Sequence, residues 1–203
     1  MEVLGAARRE ETGLLMLSLI QGVPEGLGTI FDGVDGISSS VMDAEELVRR
    51  YAAGERDFAG VDLSRAYLTI DPNGEYGEPL GHDLGGINLS GASLYRARLT
   101  ACNLSNANLS GADLRADLTL VNLTGANLTG ADLSDAYLNE AILVGANLTR
   151  AKLLNTEMSG ADLTDANLRD AAYYGTGLMD GVIWYRTTLP DGQVVVKRRV
   201  GYD

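Results

Sequence analysis

Leucine recurs at every fifth position through the central part of the chain. From Leu84 onward these positions are almost all leucine up to residue 178, with a single four-residue step between Leu114 and Leu118. Three earlier positions, Phe58, Leu63 and Leu68, follow the same step. Neither the 3.6-residue period of an α-helix nor the two-residue period of a β-strand accounts for a step of five.

A small residue, usually alanine, stands two positions before each of these central residues, and asparagine or aspartate commonly stands between them. The repeating unit therefore reads A-(D/N)-L-x-x. If the chain turns a corner every five residues, the leucine and the alanine both point inward and the other three positions face water. Four such sides would close a square coil of about twenty residues, with strands spaced as in a sheet.

A second period of about twenty residues supports this square coil. One side of each predicted coil has asparagine before its central leucine: Asn88, Asn108, Asn127, Asn147 and Asn167. On neighbouring coils these residues would be separated by the inter-strand spacing of ~4.8 Å. The sequence therefore predicts a structural ladder of side-chain amides along one side of the coil.

Tandem A-(D/N)-L-x-x units resemble the pentapeptide-repeat family, and the leucine centres and the lead-in 46–63 are similar to its cyanobacterial-type members. The resemblance implies an all-β solenoid, a right-handed quadrilateral β-helix, which we place at residues 55–180. A capping helix is predicted at 42–54, with Asp43 as its N-cap and with Leu47, Tyr51 and Ala52 facing the first coil.

The other segments do not repeat. Residues 1–41 contain many glycines and are predicted to be a flexible extension. Residues 181–203 are predicted to be a C-terminal cap, a hairpin turning at "PDG" with Trp184 over the last coil. The stretch 69–82 is rich in glycine and proline and is predicted to be a loop inserted into the coil. It supplies the candidate partner contacts Asp71, Glu75, Tyr76 and Glu78.

The net charge of −12 is unevenly distributed. Residues 1–86 carry −10, residues 87–178 carry −3 and residues 179–203 carry +1. Direct nucleic-acid binding is not expected, because phosphate contacts need a basic surface. No apolar run reaches the ~20 residues of a membrane span, and the acidic first residues do not resemble a signal peptide. These features favour a cytoplasmic protein without membrane contact.

The residues offer little chemistry for catalysis. The single histidine, His82, has no second ligand nearby in the sequence and is predicted to be structural or solvated. The single cysteine, Cys102, has no activating partner and is predicted to be an inert residue of the interior. The pairs Asp132/Asp135 and Asp162/Asp165 suggest a glycosidase or calcium site, but we interpret them as solvated decoration of the repeat. We therefore predict no catalytic residue, no metal and no cofactor.

The predicted function is a non-enzymatic scaffold for protein–protein interaction with an unidentified partner, and a monomer is favoured. The family resemblance also implies an alternative: mimicry of duplex DNA to bind, inhibit or protect DNA gyrase, a type II topoisomerase. Duplex DNA as long as five coils, ~24 Å, carries about 14 charges, whereas the repeats here carry −3. The charge comparison favours the scaffold.

Overall fold

The computed structural model describes residues 41–71, 80–174, 181–196 and 199–200 of the chain. One helix, α1, and six short strands lie in these ranges: α1 Ala44–Ala52, β1 Thr69–Asp71, β2 Leu80–Gly81, β3 Lys152–Leu154, β4 Ala172–Tyr174, β5 Ile183–Trp184 and β6 Arg199–Val200. Most of the predicted extension 1–41 lies outside the described residues, as do the loop residues Glu75, Tyr76 and Glu78 and the side chain of Asp71.

Between these elements the chain forms a coil whose turns are joined by parallel β-bridges at four positions per turn. The bridged residues are the ones that precede each central leucine, and they form four walls, which we name A to D in chain order. Wall A contains Asp57, Asn88, Asn108, Asn127, Asn147, Asn167 and Thr188. Wall B contains Val41, Asp62, Ser93, Asp113, Asp132, Lys152 and Ala172. Wall C contains Tyr67, Arg98, Asp117, Tyr137 and Glu157. Wall D contains Asp83, Asn103, Asn122, Ile142, Asp162 and Ile183.

The interior of the coil is filled by the central leucines and the small residues before them. Leu84, Leu109, Leu128 and Leu148 are each 0% exposed, and the intervening alanines are buried with them in one continuous core. Phe58 and Met158 occupy two of the central positions and are 3% exposed. The step of five therefore places one large and one small apolar side chain inside at every side of the coil.

The corner chemistry explains why asparagine or aspartate precedes the central leucine. Asn88 Oδ1 accepts the backbone N–H of Ser90 at 3.2 Å, and Ala92 N–H donates to the Leu89 carbonyl at 3.1 Å. Gly91, between them, has a φ of 65°, the left-handed value that the third position of such a turn requires. Each short Asx side chain thus stabilises a β-turn that re-aims the chain after two or three extended residues.

The four-residue unit at 115–118 lacks one corner residue, yet the coil continues on both sides of it. Asp117 is bridged to Arg98 on the preceding turn and to Tyr137 on the following turn. The missing residue is the second of the two that normally form the corner between walls B and C. The corner is therefore shortened there without a change in the register of the walls.

At the N-terminal end, α1 packs on the first coil. Asp43 Oδ1 accepts the Glu46 N–H at 2.7 Å, Leu47 is fully buried and the Tyr51 hydroxyl donates to the Gly85 carbonyl at 2.7 Å. The expectation that Ala52 faces the coil is wrong, because it is exposed. Val48 packs against the core instead, since it lies nearer to Leu47 around the helix.

The boundaries of the coil also differ from those expected. Val41 is bridged to Asp62, so the last residue of the predicted extension already belongs to wall B. At the other end the parallel bridges pass the predicted limit of residue 180 and continue through Ile183 and Thr188. Trp184 takes a central position there and is 8% exposed.

Tyr173 stands at one of the central positions of the five-residue step and is therefore expected in the interior, yet it is 51% exposed. Its bridge partner on the preceding turn is Leu153. No described residue of wall B lies on a following turn to cover the ring of Tyr173. Further along, Gly192 N–H donates to the Leu189 carbonyl at 2.9 Å in a turn through Pro190 and Asp191. On the two sides of this turn, β5 and β6 pair antiparallel.

Candidate functional site

Wall A carries a continuous chain of side-chain hydrogen bonds. Asn127 Nδ2 donates to Asn108 Oδ1 at 3.1 Å, Asn108 Nδ2 donates to Asn88 Oδ1 at 3.0 Å, and Asn88 Nδ2 donates to Asp57 Oδ1 at 2.8 Å. Every donor lies one turn further along the chain than its acceptor. The amides are thereby aligned in one direction along the wall.

In the second half of wall A the chain of hydrogen bonds passes through threonine hydroxyls. Asn147 Nδ2 donates to Thr129 Oγ1 at 3.0 Å, and Thr129 Oγ1 donates to Asn127 Oδ1 at 2.7 Å. Asn167 and Thr149 repeat this arrangement one turn later, with distances of 3.1 and 2.6 Å. The five asparagines therefore share one connected network, although a direct amide–amide contact joins only part of it.

The network ends at a residue whose side chain accepts a hydrogen bond and has no need to donate one. Asp57 is the first wall A residue of the described chain, and a carboxylate accepts hydrogen bonds without donating them. An asparagine at this position would direct its amide toward a side on which the described residues place no further turn of wall A. The identity of Asp57 thus suits the direction in which the amides donate.

The base of the predicted loop 69–82 is an antiparallel pair formed by β1 and β2. Gly81 in β2 approaches the next turn so closely that an added Cβ would lie 2.2 Å from the backbone nitrogen of Cys102. This distance is far below van der Waals contact, so a side chain at residue 81 would displace the backbone. Of the four candidate contacts in the loop, only the backbone of Asp71 falls within the described residues.

His82 and Cys102 lie beside the same loop base. The Cys102 thiol donates to the Leu68 carbonyl at 3.0 Å, and burial raises the pKa of Cys102 to about 12. Burial lowers the pKa of His82. A thiol with so high a pKa is not a nucleophile at neutral pH. Cys102 belongs to the packed interior, and His82 lies at the edge of that interior.

Two aspartates of wall B, Asp113 and Asp132, are held by basic neighbours. Arg115 makes a two-pronged contact with Asp113, at 2.9 and 2.6 Å, and this hydrogen bonding lowers the pKa of Asp113. Desolvation raises the pKa of Asp132, but hydrogen bonds from Ser134 and from Lys152, at 3.1 Å, outweigh it and lower the pKa. Both carboxylates are therefore ionised acceptors and unsuited to act as general acids.

The remaining aspartates of the predicted acidic pairs each contact a different partner. Asp135 accepts from Asn155 Nδ2 at 3.2 Å, Asp162 accepts the Thr164 N–H at 2.9 Å, and Asp165 is paired with Arg186. Within the residues that the structure describes, no group of three histidine, cysteine or acidic side chains is placed to hold a metal ion. In the same residues, no helix has the length and apolar character to cross a membrane.

Wall C has a composition that the sequence analysis did not single out. Tyr67 and Tyr137 are 61% and 49% exposed, and they bracket Arg98 and Asp117 on the wall. These residues stand far apart in the sequence and come together because the coil stacks them. The signal that could have found them is the register of the walls, read down each column of bridged positions.

A family model described as pentapeptide repeats matches the chain in eight copies, over residues 83–115, 116–153 and 131–170. The matched stretches coincide with the turns that carry the buried leucine column. The chain belongs to the pentapeptide repeat family. Membership in this family implies that the coil of the pentapeptide repeat protein is a right-handed β-helix.

Several solved structures of pentapeptide repeat proteins resemble this one. HetL from Nostoc sp. strain PCC 7120, involved in heterocyst differentiation regulation, is 25% identical over 76% of this chain and 100% of its own, with a TM-score of 0.27. Rfr23 from Cyanothece 51142 is 29% identical over 62% of this chain and 88% of its own, with a TM-score of 0.26.

A third similar structure is QnrB1, a plasmid-mediated fluoroquinolone resistance protein. It is 19% identical over 57% of this chain and 59% of its own, with a TM-score of 0.29. A search of curated protein sequences found no match to the chain. The family assignment of this pentapeptide repeat protein therefore rests on the repeats themselves.

Proposed function

We propose that this pentapeptide repeat protein is a non-enzymatic scaffold that binds another protein through its outer surface. The observation that carries the proposal is the filled interior, in which central residues such as Leu109 and Leu128 are completely buried. A coil packed with side chains offers its ligands walls and corners in place of an internal cavity. Extended walls built from repeats are the surfaces that solenoid proteins use for binding.

The distribution of polar groups supports a binding role over a catalytic one. In wall A the amides hydrogen-bond to one another and to threonine hydroxyls, and in wall B Asp113 and Asp132 have arginine or lysine partners. Catalysis needs a group with a pKa and a position matched to a proton transfer or an attack. The carboxylates of Asp113 and Asp132 are instead held in their ionised form by fixed donors, which lower their pKa.

Closed ends would make the coil a stiff, monomeric rod, and we propose that α1 and the C-terminal hairpin provide them. Leu47 of α1 and Trp184 of the last coil are both buried in the same core as the central leucines. An open end would leave apolar interior and unpaired backbone in water. The cytoplasmic location and the likeness to cyanobacterial-type members remain predictions of this proposal.

The alternative, a DNA mimic that acts on gyrase, is less well supported by the walls. Mimicry of a duplex needs a dense acidic surface, whereas wall A is largely amide and wall C places Arg98 between Tyr67 and Asp117. Addition of the protein to a gyrase supercoiling reaction tests this alternative. Inhibition or protection at micromolar protein would favour it over the scaffold.

Site-specific photo-cross-linking in the native cell tests the scaffold proposal. A photoreactive phenylalanine analogue would replace Tyr137 on wall C, Ile142 on wall D or Leu80 at the loop base, all of which are substantially exposed. We expect a discrete, light-dependent adduct with one protein from at least one position. The absence of an adduct from every position, with the variants folded and abundant, would contradict the proposal. A parallel deletion of residues 72–78 tests the loop contacts Glu75, Tyr76 and Glu78.

A further inference from the structure

The first two turns of wall C and of the B–C corner form a basic, aromatic surface. The outward side chains there are contributed by six residues, namely Ser64, Arg65, Tyr67, Tyr95, Arg96 and Arg98. Three of them are arginines and none is acidic. On the same wall and corner the third turn carries Arg115 and Asp117, and the fourth and fifth turns carry Asp135 and Glu157 without a basic residue. The formal charge thus changes from +3 at the first two turns to negative at the fourth. We name the five arginines and tyrosines of the first two turns the Arg–Tyr surface.

The arginines of the Arg–Tyr surface have no carboxylate partner within the described part of the chain. Five ion pairs are formed there, and none includes Arg65, Arg96 or Arg98. Arg96 lies over the ring of Tyr95 at 5.2 Å, and Arg98 lies over the ring of Tyr67 at 5.1 Å. These stacking contacts hold the guanidinium groups on the wall and leave their donors available to a ligand.

The missing corner residue of the 115–118 unit opens a depression beside this surface. At this corner the second residue of each turn normally donates its backbone N–H to a carbonyl of the next turn. Arg96 N–H donates to the Arg115 carbonyl before the short unit, and Asp135 N–H donates to the Leu154 carbonyl after it. The residue that would donate to the Ser134 carbonyl is the deleted one, and no other described N–H replaces it. The depression has a volume of about 470 Å³. Its lining includes Tyr95, Arg96, Arg98, Asp117, Asp135 and Tyr137.

We propose that the Arg–Tyr surface and the adjoining depression bind an acidic segment of a partner protein. The carboxylates of the segment would contact Arg96 and Arg98, and its remaining residues would lie against Tyr95 and Tyr137 in the depression. This inference rests on the proposed scaffold function and assigns the binding to one wall and to one chemistry. It differs from the loop contacts expected from the sequence, which are mostly acidic and would require a basic partner.

Charge complementarity selects an acidic polypeptide over a nucleic acid. Both carry negative charge, but a nucleic acid presents phosphates over a long track and needs a basic surface of matching length. Here the basic stretch covers two turns and gives way to Asp117 and Asp135, while the whole chain carries −12. A short run of carboxylates fits the two basic turns. Arginine and tyrosine are also the residues that most often dominate protein–protein binding energy.

The test uses the full chain and a fluorescein-labelled decaglutamate peptide as the probe. Fluorescence anisotropy at low ionic strength should show saturable binding that weakens as salt is added. Charge reversal at both Arg96→Glu and Arg98→Glu should raise Kd by roughly tenfold or more. The matched control is Arg150→Glu, since Arg150 is exposed, forms no ion pair with any described residue and has a φ of 59° at the same corner position, close to the 58° of Arg96. We expect this control to leave Kd within about twofold of the wild type.

Three results would overturn the proposal: no saturable binding of decaglutamate to the wild-type protein, an equal loss of binding in the Arg150→Glu control, or tighter binding of a single-stranded oligothymidylate than of the peptide. Thermal melts of the variants must match the wild type, so that lost binding is not unfolding. Failure of this titration removes the Arg–Tyr surface only. The scaffold proposal is tested separately by cross-linking from Ile142 on wall D and Leu80 at the loop base, which lie outside this surface.

Discussion

Substitution of Asn108 by alanine tests whether the wall A network contributes to stability. Asn108 Nδ2 donates to Asn88 and its Oδ1 accepts from Asn127, at 3.0 and 3.1 Å. The same Oδ1 also accepts from the backbone N–H of Ser110 at 3.3 Å and from its hydroxyl at 2.9 Å. Asn108→Ala removes all of these contacts and leaves one donor and one acceptor on neighbouring turns without their partners.

The best control for this substitution is Asn122→Ala. Asn122 lies on wall D at the same position of its repeat, half-buried like Asn108, and its Oδ1 accepts the Thr124 N–H at 3.0 Å. Within the described residues its amide group donates to no other side chain. The control therefore removes the corner contact alone. The difference between the two variants isolates the two ladder bonds, apart from the small contribution of the Ser110 hydroxyl.

Each ladder bond should contribute about 0.5–1.5 kcal/mol to the free energy of unfolding. Because the wall is half-buried and water can replace part of the loss, we expect Asn108→Ala to be about 1–2 kcal/mol less stable than Asn122→Ala. Urea unfolding followed by circular dichroism gives both values, provided that the slopes of the transitions agree. Equal destabilisation of the two variants would refute a stabilising role for the network.

Three further substitutions or treatments follow from the packing. Leu128→Ala should lower the free energy of unfolding by about 2–5 kcal/mol, because Leu128 is fully buried and the interior cannot collapse around the cavity; a melt equal to wild type would place this leucine outside. Gly81→Ala should destabilise the loop base, since its Cβ would lie 2.2 Å from the Cys102 nitrogen, and a crystal structure without a backbone shift would contradict this. Cys102, with its pKa raised to about 12, should resist iodoacetamide at pH 8 until urea unfolds the protein. Rapid alkylation of the folded protein would show this burial to be wrong. The raised pKa also predicts that the stability contributed by the protonated Cys102 thiol is lost as pH rises above the value of about 8.5 expected for the unfolded thiol.

The interior could be predicted from the sequence because a single spacing encodes it. One large and one small apolar residue in every five identify the buried positions whatever the composition of the walls. The same rule failed at Tyr173, since burial also needs a following turn over the ring. It missed Trp184, whose repeat has valine and isoleucine in place of alanine and asparagine and so lacks the usual letters.

The walls were harder to predict, because their chemistry depends on which turns are stacked. Tyr67 and Arg98 are adjacent on wall C although 31 residues separate them, since the loop insertion lengthens that turn. Asn147 was expected to contact Asn127 directly, but the hydroxyl of Thr129 lies between the two amides and accepts the hydrogen bond. The spacing of residues in the sequence predicts the wall on which a residue lies. It does not predict the side-chain rotamer, which depends on the neighbouring turns.

Thiol accessibility along one and a half repeats tests most directly whether the chain turns a corner every five residues. Single cysteines in a Cys102→Ala background would be placed at six neighbouring positions by the substitutions Leu133→Cys, Asp135→Cys, Ala136→Cys, Tyr137→Cys, Leu138→Cys and Glu140→Cys. The structure buries residues 133, 136 and 138 and exposes residues 135, 137 and 140. We therefore expect slow alkylation at the first three positions and fast alkylation at the last three in the folded protein. A 3.6-residue period of reactivity, or fast alkylation at 133 and 138, would contradict the five-residue coil.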